Sequence, residues 1–154
     1  MKAVIQRVLE SSVSVDGKVV GSSSKGYMIL VGVVKGDTPR EAELLARKVA
    51  ALRVFEDENG RMNKSVLDID GDVLAISQFT LCADCKKGNR PSFSMSEEPE
   101  NADRLYKLFC EKLKENGIKR VETGIFAADM KVSLVNDGPV TICFDTDIWA
   151  NSGR

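Results

Sequence analysis

Tyr27-Met28-Ile29-Leu30-Val31-Gly32-Val33-Val34 is an almost unbroken apolar run. A strand with one wet face alternates apolar and polar residues, and this run does not, so it reads as a central strand buried on both faces. Upstream, Val4, Val8, Val13, Val15, Val19 and Val20 are β-branched, and Asp16-Gly17 between Val15 and Lys18 is a hairpin signal. Residues 2–34 are therefore expected to be consecutive strands. Downstream, Thr38-Pro39-Arg40-Glu41 marks a helix start: Thr38 caps, Pro39 suits the first helical position and Glu41 completes a capping box. Ala42, Leu45, Val49 and Leu52 give that helix an inner face. A second helix is expected from Pro99 to Gly117, with Ala102, Leu105, Phe109 and Leu113 inward. Near the end, Met130-Val132-Leu134 and Val140-Ile142-Phe144 alternate with other residues around Asn136-Asp137-Gly138-Pro139, which reads as a strand pair joined by a turn. The expected architecture is one α/β domain, a mostly antiparallel, barrel-like sheet with two main helices over residues 1–146. Residues 147–154 read as a short, loosely held tail.

The chain has 154 residues and a net charge of −1, so bulk charge gives no support to nucleic-acid binding and only a local patch would. No apolar run approaches the roughly 20 residues of a membrane span. The N-terminus lacks a long apolar segment with a cleavage site, so the expected location is the cytoplasm. There is no histidine. That excludes Ser-His and Cys-His hydrolases and removes the usual zinc ligand. Any catalysis must use carboxylates, amides, hydroxyls, backbone groups or groups that the substrate brings.

Candidate chemistry gathers at Ser77-Gln78-Phe79-Thr80-Leu81, where the buried strand Val73–Ile76 leaves the core. In a persisting strand Ser77 and Phe79 would share one face and Gln78 and Thr80 the other; a loop start would bring several of them around one ligand. Ser77 and Thr80 are possible nucleophiles without a base to activate them, and backbone N–H groups from Ser77 to Leu81 are possible oxyanion donors. The long irregular segment from Cys82 to Pro99 carries Lys86, Lys87 and Arg90, a tight positive cluster suited to phosphate. Cys82 and Cys85 form a CxxC, but Cys110 and Cys143 are isolated, so no metal site and no cofactor is expected. Asp57-Glu58-Asn59-Gly60 does not have calcium-loop spacing and reads as a solvated turn.

Two stretches, Ser77–Leu81 and Asn136-Asp137-Gly138-Pro139-Val140-Thr141, together resemble the paired signatures of the D-aminoacyl-tRNA deacylases. The likeness runs on through Ala3–Val8, Leu52–Asp57, Lys87–Pro91 and Phe126–Met130. The resemblance implies a homodimer that cuts the ester between a D-amino acid and the terminal adenosine of tRNA. It also implies activity on glycyl-tRNA, and a role in translation quality control. It places Ser77, Gln78, Phe79 and Thr80 at the catalytic centre, with Phe126 and Met130 lining the pocket. Gly138-Pro139, cis in the family, becomes the loop that enters the partner subunit, braced by Arg7. Lys86, Lys87 and Arg90 would contact tRNA. The family account gives the proton work to the ribose 2′-hydroxyl and water, so no side chain is expected to be an indispensable nucleophile. Two rivals are a non-catalytic RNA-binding module using the basic cluster and a redox or zinc protein using the CxxC.

Overall fold

The computed structural model describes residues 1–150. Strand β1 (Lys2–Val15) turns at Asp16 and Gly17, with φ of 51° and 80°, into β2 (Lys18–Ser23), and β3 (Gly26–Gly32) follows. The first half of β1 pairs with β3, from Lys2 opposite Gly32 to Val8 opposite Gly26. Its second half pairs with β2, from Ser11 opposite Ser23 to Val15 opposite Lys18. Tyr27, Ile29 and Val31 are fully buried, as the opening apolar run requires. Helix α1 (Pro39–Ala51) begins with the full capping box between Thr38 and Glu41. A small hairpin, β4 (Arg53–Glu56) with β5 (Met62–Ser65), precedes β6 (Asp72–Ser77). Helix α2 (Pro99–Glu115), β7 (Val121–Thr123) and β8 (Lys131–Asp145) complete the elements.

The sheet is mixed rather than mostly antiparallel. β1 pairs antiparallel with β2, β3 and β8, but β3–β6 and β6–β7 are parallel. Parallel neighbours need a crossover, and the segments containing α1 and α2 provide one each. The sheet almost closes, because β7 returns to β2. A Cβ at Gly21 would lie 2.4 Å from the Thr123 carbonyl oxygen, so a residue without a side chain is what lets the two ends meet. One apolar cluster sits between the sheet and the two helices, centred on Ile29, Leu45, Leu105 and Phe109. A second fills the inside of the curved sheet, with Val8, Val13, Met28, Leu74 and Ile76.

The expected C-terminal strand pair is a single strand. β8 runs along β1 from Ser14 opposite Lys131 to Lys2 opposite Asp145. The register slips between Val8, opposite Asn136, and Gln6, opposite Thr141, so residues 137–140 bulge out of a continuous ladder. Pairing to β1 on both sides overrides the local turn signal. The Gly138-Pro139 peptide bond is cis. The start of the expected tail is also held rather than loose. Residues Thr146–Trp149 form a 3-10 turn, and the Trp149 ring meets Phe144 at 5.0 Å and lies under the Lys48 ammonium at 5.2 Å. The rest of that tail, 151–154, lies outside the described residues.

Candidate active site

Strand alternation ends at Ser77. The Gln78 amide donates to the Val31 carbonyl at 2.7 Å, the last tie to β3, and Phe79–Cys82 then wind into a 3-10 turn. Ser77, Gln78 and Phe79 therefore all line one cavity of about 640 Å³. Phe126, Ala127 and Met130 line the same cavity. Ala127 holds a φ of 65°, a left-handed conformation unusual for a residue with a Cβ. Thr80 is exposed and does not line the cavity. Its Oγ1 accepts a hydrogen bond from the Gln78 Nε2 at 2.5 Å and so sets the direction of that amide. The amides of Phe79 and Thr80 open the turn, where helical geometry leaves N–H groups without an acceptor inside the helix.

The cavity has walls that the sequence reading missed. Phe93 packs edge-on against Phe79 with ring centroids 5.1 Å apart, making an aromatic rim. Lys35 and Glu97 also face the space. Glu97 accepts from the Glu98 amide and from Asn101 Nδ2, bonds that hold its carboxyl below the usual range. It is an ionised acceptor, not a proton donor. An aromatic soon after the basic cluster was the one available hint for Phe93; nothing local marked Lys35.

Gly138 and Pro139 are exposed and lie outside this cavity. Arg7 is buried beneath the bulge. Its Nε donates to the Asp137 carbonyl at 2.9 Å and its Nη1 to the Val54 carbonyl at 2.7 Å. Gly138 has a φ of +124°, and a Cβ there would sit 2.9 Å from Arg7 Nη2 and 3.0 Å from Val140 Cγ2. One guanidinium thus ties the bulge to β4, while the two signature stretches stay apart within one chain.

Lys86, Lys87 and Arg90 are exposed at the tip of a loop closed by paired Asp84 and Ser92 backbones, at 2.7 and 2.9 Å. All four cysteines are free. Burial pushes the Cys82 thiol up, the reverse of a reactive thiolate, and Cys82 closes a four-residue 3-10 turn rather than opening a helix. Among the described residues no group of three or more Cys, Asp or Glu is placed to hold a metal ion, and no helix is long and apolar enough to cross a membrane.

A family model described as D-Tyr-tRNA(Tyr) deacylase matches residues 4–145. The D-aminoacyl-tRNA deacylase of Geobacter sulfurreducens is 56% identical over 152 residues, covering 99% of each chain. This chain belongs to the D-aminoacyl-tRNA deacylase family. The deacylase of Persephonella marina is 58% identical over 146 residues, 95% of this chain and 98% of its own. A solved structure described as c-Myc DNA Unwinding Element Binding Protein superimposes with a TM-score of 0.89 at 41% identity, covering 94% of this chain and 98% of that one. A probable eukaryotic D-amino acid tRNA deacylase shares the fold at a TM-score of 0.80 and 16% identity, over 93% and 97% of the two chains. The cavity offers hydroxyls, amides, a carboxylate already engaged and a lysine, but no histidine.

Proposed function

We propose that this chain hydrolyses the ester of D-aminoacyl-tRNA, and of glycyl-tRNA, as a homodimer in which Gly138-Pro139 of one copy enters the cavity of the other. Family membership supports the reaction class. The observation that carries the arrangement is the separation of the two signatures. Residues 77–79 line a cavity, whereas 138–139 stand exposed on a bulge that Arg7 holds from beneath. Among the described residues β8 pairs only with β1, which leaves its other edge open to a second copy.

Chiral selection follows from what the bulge lacks. Gly138 and Pro139 carry no polar side chain, so they act by shape and by main-chain carbonyls. Rigid backbone against the substrate α-carbon leaves no volume for an L side chain and accepts the ammonium group of a D-amino acid. Glycine, with no side chain to reject, passes the same filter. The ester carbonyl sits against the opening amides of the 79–82 turn, which stabilise the oxyanion. Thr80 orients Gln78 rather than attacking, and the ribose 2′-hydroxyl and water move the protons. Lys86, Lys87 and Arg90 meet tRNA phosphates.

The test is the decay of matched D-aminoacyl-, L-aminoacyl- and glycyl-tRNA with the purified protein, alongside its mass in solution. The D and glycyl esters are expected to fall while the L ester persists, at the mass of two chains. Equal decay of D and L, or no decay, would overturn the reading.

A further inference from the structure

A second cavity of about 770 Å³ lies beside the first. The wall between them is built from two short segments, 33–35 and 93–96. Val34 bridges Ser96, the Lys35 amide donates to the Met95 carbonyl at 2.9 Å, and the Glu97 amide donates to the Val33 carbonyl at 3.0 Å. A turn over 93–96, closed by the Ser96 amide on the Phe93 carbonyl at 3.0 Å, leaves Phe93, Ser94 and Ser96 on the first cavity with Val33, and Met95 on the second with Val34; Lys35 lines both. Lys2 and Lys86 add further positive charge to the second cavity, and Met95 gives it a half-exposed apolar surface.

The acids around the second cavity are largely engaged. Asp37 pairs with the Met1 ammonium at 3.0 Å, Glu41 accepts from the Thr38 amide at 2.9 Å, and Asp84 accepts from the Lys86 amide at 3.0 Å. Asp145 accepts from the Asp147 amide at 3.0 Å. Asp147 remains as an exposed carboxylate, and carboxylates are the natural acceptors for a cytosine amino group.

We infer that the second cavity is the subsite for the cytidine that precedes the terminal adenosine in the unpaired CCA end of tRNA. This rests on the deacylase reading, which puts the terminal adenosine in the first cavity. A single strand crossing the ridge would place its linking phosphate at Lys35, its next base on Met95 and its next phosphate near Lys2 or Lys86. Lysine contacts and a soft apolar platform are how strands are held without reading a long sequence.

The test compares two non-hydrolysable amide analogues with the intact protein by calorimetry. One is a 3′-D-aminoacylamino adenosine; the other is the same group on a CCA trinucleotide. The trinucleotide is expected to bind at least about fivefold tighter, the low end for one held nucleotide, with the ratio shrinking as salt rises. Lys2→Ala and Met95→Ala should each draw the ratio toward one. Replacing the middle cytidine by an abasic linker should do the same in the unaltered protein. Equal binding of the two analogues, or a ratio untouched by these changes, overturns the subsite. If the adenosine analogue itself does not bind, the deacylase reading fails first and the subsite with it.

Discussion

The two signature stretches break regular strands in opposite ways. At Ser77 a buried strand ends, and the following 3-10 turn folds its side chains into a cavity of the same chain. At Asp137 a strand continues, but four residues are pushed out of its ladder, and none of them lines that cavity. The first break builds a container from side chains and amides. The second leaves Gly138 and Pro139 exposed on the surface. Within one chain the cavity and the exposed Gly138-Pro139 bulge share no lining residue.

The comparison is tested most severely at Gly138. Gly138→Ala puts a methyl against Arg7 at a φ of +124°. D-aminoacyl-tRNA hydrolysis should fall at least about 100-fold, roughly 2.7 kcal/mol of transition-state stabilisation, with circular dichroism unchanged. Retained turnover would separate the bulge from the reaction. Arg7→Lys leaves a charge but cannot span the Asp137 and Val54 carbonyls with a rigid fork. We expect about a tenfold loss in kcat/KM. In the double variant the two losses should be clearly less than additive, because both act on one loop. Thr80→Ala frees the Gln78 amide without removing a group that lines the cavity. Turnover should drop by less than about tenfold, and a dead enzyme that still binds the adenosine analogue would show Thr80 to be indispensable. Smallest of all, Cys82→Ser with Cys85→Ser should leave deacylation within about twofold. A lost activity in that variant would revive a thiol mechanism.

Much of the pocket side was legible in local pattern. The apolar run at 73–76 marked β6, and the Thr38–Glu41 capping box and Pro39 marked the start of α1 to the residue. The signals at 136–139 were equally local and misled. Asn-Asp-Gly-Pro describes a turn well, yet its flanks pair with the same strand, Val8 on one side and Gln6 on the other. Long-range pairing decided between hairpin and bulge, and no short window contains it. The parallel neighbours escaped for the same reason, since β3 and β6 meet only after the intervening helix and hairpin are placed. Phe93 and Lys35 reach the cavity through a bridge between distant segments, which is likewise invisible in periodicity.

Both ends of the 137–140 excursion are zipped to β1. A residue added there would lengthen the unpaired excursion, because sliding either flank would turn its side chains to the other face. Gly138 is closed to exchange by the space beside Arg7 and Val140, whereas the ladder does not set the number of residues between the two flanks. Strand β1 thus fixes where this bulge leaves the sheet and where it returns, and the span between those two points is left to its own residues.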